Sequence, residues 1–318
     1  MAESRYPQAP PAGTVTLMSV QTLVDIDLPR AQTGANPQYL ILGLFTDYWF
    51  RSDQPLPSAA LVTLLGDFGI TPLSARAAIG RLARRGVLDA SKQGRRTFYA
   101  MAPGAARALE QSQRRMMEFG TGDRSWDGLW TTVVFSVPDE QRDLRQVLRR
   151  RLRFLGYAAV QDGVWMSPHA DHEQTVELLE SVGVGKATVL RSTVTYAVNG
   201  GDPLTAWDLD AIRGSYQEFT TEYTPLVERV TRGHIGAAEA LVARSVVKDF
   251  WREIISTDPE LPENLLPDAW PGPTARSVFA RSYDSLGPLA EFRVRQLLAE
   301  HDPALAEQTG HRTTTSTP

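Results

Sequence analysis

Hydrophobic positions recur every three or four residues from Pro37 onward. The first such run, PQYLILGLFTDYWFRS, carries Leu40, Leu44 and Tyr48 behind a proline suited to a first helical turn. A second run, PSAALVTLLGDF, starts near Pro57 or Ser58 and ends near Gly66. After the turn GIT, Thr71 can cap a third helix, with Pro72 in its first position. That helix runs to about Arg85 and stops at Gly86. The period then shortens to two: VLDAS and RTFYAM read as strands joined by KQGR, with Gly94 supplying the tight turn. Three helices followed by a hairpin are the order of a winged helix-turn-helix. A further helix, about Pro103 to Phe119, leads out of it.

At WTTVVFSV the pattern becomes that of a β-branched strand, and Glu140 to Leu155 is an amphipathic helix. YAAVQDGVWMS is a hairpin turning at Asp162-Gly163, DHEQTVELLESVG a second helix, and KATVLRSTVTYAV a final strand. The order β-α-β-β-α-β predicts a ferredoxin-like sandwich of about 75 residues. From Leu204 the chain is helical again, except for DPELPENLLPDAWPGP, whose five prolines in sixteen residues force an irregular loop. Residues before Pro37 are polar and scattered with prolines, and TGHRTTTSTP from Thr309 has the composition of a tail. The expected organisation is α+β: a flexible arm over 1–36, the winged unit over 37–120, the ferredoxin-like module over 121–202, a helical domain over 203–308 and a tail over 309–318.

Composition narrows the function. The 318 residues are 42% hydrophobic and 22% charged, which suits several folded domains. Net charge is −4, so any nucleic-acid site has to be local. There are no cysteines, hence no disulfides and no thiolate metal sites, which fits a cytoplasmic setting. No apolar run approaches the roughly 18 residues of a membrane span, and the start lacks a secretory signal pattern.

Against that acidic balance, Ser74 to Ala100 gathers seven basic residues and one acid. On the third helix Ala75, Ala78, Ile79 and Leu82 share the core side. The opposite face centres on Ala77, Gly80 and Arg84, flanked by Arg76 and Arg81. Small side chains let a helix backbone approach closely, and arginines supply forked donors for a guanine edge or a phosphate. The hairpin adds Lys92, Arg95 and Arg96 at its tip. Any one of these arginines is as readily a solvated side chain as a contact. The combination points to double-stranded DNA.

SARAAIGRLARRGVLDASKQGRRTFYAM followed by WDGLW, with DPELPENLLPDAWPGPTAR further on, resembles the transcriptional repressors of the PaaX type, which control phenylacetate degradation in bacteria. These anchors span roughly residues 40–300 in the family's order. The resemblance implies an N-terminal winged helix, a central module similar to Cas2 and a helical C-terminal domain. It also implies a homodimer on a palindromic operator, released by an aryl-CoA thioester, typically phenylacetyl-CoA. Carried over by position, the DNA contacts fall on Arg76, Arg81, Arg95 and Arg96. The longer N-terminal arm departs from the family pattern.

Other clusters weigh less. In DLRQVLRRRLRFLGY, Arg142, Arg145, Arg149 and Arg153 line one helical face. Arg145, Arg149 and Arg153 are candidates for the phosphates of a CoA effector, with Trp270 as a candidate aromatic contact. A solvated face or a dimer rim is the favoured reading of the stripe. His169 and His172 stand too isolated for a metal site, and no metal or cofactor is expected. Asp139, after the strand VVFSV, is the residue a Cas2-like, metal-dependent nuclease would use, but it sits where an acid stabilises a helix start anyway. No phosphate loop, dinucleotide fingerprint or nucleophile elbow is present, so catalysis is not expected. Trp207, Tyr216, Phe219, Tyr223, Phe250 and Trp251 recur at helical spacing and belong to a core.

Overall fold

A computed structural model describes residues 36–316 apart from positions 51, 123, 170, 171 and 199. The arm expected over 1–36 lies outside the described residues except for Asn36. That side chain accepts from the Gln38 amide at 3.0 Å and caps α1 (Pro37–Tyr48). A two-residue strand β1 (Leu56–Pro57), α2 (Ser58–Gly66) and α3 (Pro72–Arg84) follow. Strands β2 (Leu88–Gln93) and β3 (Arg96–Met101) form the hairpin, and α4 (Pro103–Glu118) leads away. β1 adds to the free side of β3, giving the sheet order β1-β3-β2, all antiparallel.

The middle of the chain forms β4 (Trp130–Ser136), α5 (Arg142–Phe154), β5 (Ala158–Gln161), β6 (Val164–Ser167), α6 (His172–Val182) and β7 (Lys186–Ser192). The order β-α-β-β-α-β read from the sequence is the order formed. The strands lie β5-β6-β4-β7, each neighbour antiparallel. Val133, Phe135 and Trp165 on the covered face pack with Leu148 and Leu152 of α5 and Leu178 of α6. Gly163 holds φ at +79°, and a Cβ there would lie 2.6 Å from the Phe135 carbonyl oxygen, so only glycine fits the turn. The last strand ends at Ser192. Residues 193–198, expected within it, run on exposed and without ladder pairing among the described residues.

Beyond a short turn come α7 (Leu209–Thr231), α8 (Ala237–Thr257), α9 (Gly272–Ala299) and α10 (Pro303–Glu307). Hydrophobic burial divides among three cores. Ile41, Leu44, Leu61, Ile79 and Leu82 share theirs with Leu241 of α8, Val294 and Leu298 of α9 and Leu305 of α10. The helix–hairpin unit is therefore closed by the end of the chain, and α1, apolar on most sides, is enclosed rather than merely amphipathic. A second core joins Met116 and Phe119 of the α4 end to Tyr216, Phe219, Trp251 and Phe279. The third belongs to the central module alone.

The stretch from Thr309, expected to be a tail, instead docks. Thr309 and Arg312 are buried. The Arg312 amide donates to the Asp47 carbonyl at 2.8 Å, its Nε to the Thr46 carbonyl at 3.0 Å, and its other guanidinium nitrogens grip both Glu110 oxygens. A composition of threonines and glycine reads as a tail because these bonds run to residues more than 200 positions away.

Candidate nucleic-acid interface

Thr71 places the candidate helix: its hydroxyl accepts from the Ser74 amide at 3.3 Å, and Pro72 occupies the first turn. Ala75, Ala78, Ile79 and Leu82 are buried, as the helical period requires. The other side is solvent-facing. Arg76, Ala77, Arg81 and Arg84 are exposed, and so are Lys92, Arg95 and Arg96 on the hairpin. Among the described residues none of these six cations makes an ion pair. Gly80 sits mid-face, where an added Cβ would meet only the Arg84 guanidinium at 3.5 Å.

The hairpin turns more tightly than its sequence suggested. Gln93 pairs with Arg96, leaving Gly94 and Arg95 as the two turn residues, with Gly94 at φ +61°. Lys92 pairs with Thr97, so Arg95 is the outermost cation.

Leu73 was missed by sequence reasoning. It is 80% exposed in the first turn of α3, four residues before Ala77 and seven before Gly80. Extending the outward stripe back by one turn would have found it. An apolar side chain there suits contact with a thymine methyl group.

The end of α1 is fixed by a buried charge cluster. The Asp47 carboxylate accepts from Lys248 Nζ at 2.6 Å, from the Tyr283 hydroxyl at 2.9 Å and from Gln113 Nε2 at 3.3 Å. Burial raises its pKa, but Lys248 and Arg244 outweigh that and hold the carboxyl below its usual range. Arg244 lies over the Tyr283 ring at 3.8 Å and donates to the Tyr283 carbonyl and to the Arg312 carbonyl.

The candidate effector residues are not brought to one place. Arg145 donates to the Val137 carbonyl and to Asp139 at 2.8 Å, while Arg149 pairs with Asp162. Arg153 stands 5.5 Å from the Trp165 ring and lines a cavity between α4, α5 and α8. Trp270 packs edge-on to Tyr216 in the second core, with Arg213 over its face. Asp139 does not cap a helix as expected. The helix starts later, at Arg142, and the exposed Asp139 carboxylate serves Arg145. His169 is held through Nε2 to the Pro259 carbonyl at 2.8 Å.

Three family models match consecutive stretches: PaaX-like protein over residues 36–104, the PaaX protein central Cas2-like domain over 123–203, and the PaaX-like protein C-terminal domain over 207–296. The transcriptional repressor PaaX of Escherichia coli (strain K12) is 25% identical over 258 residues, covering 79% of this chain and 80% of that protein. Among solved structures, the uncharacterized protein Rv0674 from Mycobacterium tuberculosis superposes with a TM-score of 0.50 at 20% identity, over 76% of this chain and 91% of its own.

Proposed function

Because the chain belongs to the PaaX family, we propose that it is a DNA-binding transcriptional repressor in which residues 37–120 act as a winged helix-turn-helix. α3 would enter a major groove, with Arg76 and Arg81 reading bases and Arg84 and Lys92 on phosphates. Arg95 and Arg96 would reach the backbone or the minor groove beyond. The observation carrying this reading is the outward face of α3: a small centre at Ala77 and Gly80 within a ring of cations that make no ion pair among the described residues.

A homodimer on a palindromic operator accords with this, two helices entering successive grooves about one helical turn apart. The open face of the central sheet supports a paired assembly. Val134 and Leu190 are exposed there, and Tyr196 and Val198 project from the segment that follows. The 121–202 module would serve as the ferredoxin-like hub, and 203–308 as the helical domain that closes the winged unit. The effector class, an aryl-CoA such as phenylacetyl-CoA, follows from the resemblance. Release requires that it bind the arrangement incompetent for DNA more tightly.

The test is a fluorescence-anisotropy titration of the chain's own promoter region, repeated at rising salt and with phenylacetyl-CoA. Tight, steeply salt-dependent binding relieved by the thioester is the expected result. Binding absent at low salt sinks the reading.

A further inference from the structure

A cavity of about 470 Å³ opens where the end of the helix leading from the hairpin, the central module and the C-terminal helices meet. Its wall includes Arg115 and Met116 from the last turn of α4, Arg153 and Phe154 from the end of α5, and Arg252 and Ile255 from α8. Three arginines and an aromatic residue thus line one space, each pair contributed by a different part of the chain.

The charges there are unevenly matched. Asp258 and Glu260 also line the cavity, but their oxygens accept from neutral donors. Asp258 takes the Tyr216 hydroxyl and the Glu260 amide, and Glu260 takes the Gly120 amide. Of the three arginines, Arg252 pairs with Asp249 at 3.0 Å and lies over the Tyr39 ring at 4.4 Å, and its Nε is buried without a hydrogen-bond partner. Arg115 covers the Phe154 ring at 4.6 Å and donates to a carbonyl, and Arg153 lies over Trp165. These arrangements leave cationic donors available at a partly apolar surface, where an anion is attracted and a flat group can lie against Phe154 and Met116. The volume falls within the range of small-molecule sites. It suits an aryl-acyl group with part of a linker, leaving the remainder of a larger molecule at the mouth.

We infer that this cavity binds an anionic small molecule bearing a flat apolar group, held by Arg115, Arg153, Arg252 and Phe154, and that its occupancy sets the angle of the helix–hairpin unit. The inference rests on the reading of the chain as an effector-released repressor. The lever is α4, which runs from the end of the hairpin at Met101 to the cavity wall at Arg115. A ligand that displaces the Arg115–Phe154 contact acts directly on the far end of the same helix.

Arg153→Glu and Phe154→Ala test it, because both side chains are exposed and their loss leaves the cores intact. Arg150→Glu, on the same helix but not on the cavity wall, controls for charge. Calorimetric titration with phenylacetyl-CoA and fluorescence titration with anilinonaphthalene sulfonate, an aromatic anion, give the affinities. The expected result is a Kd raised about tenfold or more in both cavity variants (about 1.4 kcal/mol or more) at unchanged melting temperature, with the control like the parent. If the parent binds the thioester and both cavity variants bind it equally well, the site is wrong while the effector class stands. If the parent ignores the thioester but holds the sulfonate, and the cavity variants lose it, the site stands and the effector class falls. Neither probe separating the variants from the parent overturns the inference.

Discussion

Lys248 and Asp47 are 201 residues apart in the chain, yet the ammonium donates to the carboxylate at 2.6 Å, with both side chains buried. The bond ties the helix that opens the helix–hairpin unit to the middle of α8. With Arg244 and Arg312 beside it, the pair belongs to a buried network of charged groups. Such a network contributes little over well-packed apolar residues but costs heavily when one partner is removed.

Asp47→Ala leaves the Lys248 ammonium and the Arg244 guanidinium buried without their carboxylate. It should lower unfolding free energy by about 3–5 kcal/mol. Urea denaturation followed by tryptophan fluorescence measures this. A loss under about 1 kcal/mol would mean that water reaches the cluster.

On the proposed interface, Arg95→Ala and Arg96→Ala should each weaken binding to all DNA sequences alike. Each should also reduce the slope of log affinity against log salt by about one. Arg76→Ala and Arg81→Ala should each cost about 1–3 kcal/mol on the preferred operator and alter the base preference at one position. Selection from a randomised duplex pool reads both effects. Four variants binding like the parent would remove the interface.

Gly80 separates stability from recognition. Gly80→Ala meets only the Arg84 guanidinium, at 3.5 Å, and should stabilise the helix by about 0.5–1 kcal/mol. Gly80→Leu places bulk at the centre of the outward face and should cut DNA affinity about tenfold or more, with melting temperature unchanged or raised. Leu73→Asp, on the same stripe, should likewise impair binding alone. Equal DNA affinity for Gly80→Leu and the parent would show that nothing approaches that face.

Asp258 carries a pH signature. Burial raises its carboxyl pKa, although the Tyr216 hydroxyl and the Glu260 amide pull it back. A carboxyl whose pKa is higher folded than unfolded binds more protons in the folded state. Its contribution is therefore present below the ordinary carboxylate range and lost as pH rises through the folded value. Asp258→Asn removes this dependence, and its amide can still meet Tyr216 and Glu260. Differential scanning calorimetry should find the variant's melting temperature above the parent's at neutral pH, the two converging at about pH 4. A gap that stays constant with pH would mean the carboxyl titrates normally.

Much of the architecture could be read locally. The helix–turn–helix–hairpin order, the cap at Thr71 and the turn at Gly163 each depend on residues within one or two turns of one another. The same holds for the outward placement of Arg76, Arg81, Arg95 and Arg96, which follows from helical and strand periods. What escaped depends on distance. Nothing local singles out Asp47, Arg244 and Lys248, because only the enclosed packing of α1 brings them to face one another. β1 was invisible, since two residues carry no alternation. The segment from Thr309 read as a tail for want of hydrophobic residues, though Arg312 anchors it through its guanidinium. The candidate effector arginines at 145 and 149 shared a face with Arg153, but Asp139 and Asp162 from neighbouring loops occupy them.

The first core joins Ile41 and Leu44 to Leu298 and Leu305, so its two halves leave the ribosome far apart in time. The basic helix α3 packs on α1, α2 and β2, all of them made early, but the core beneath them is complete only once the later helices have been added. A polypeptide stopped before those helices therefore keeps the neighbours of α3 but leaves this core short of Val294, Leu298 and Leu305.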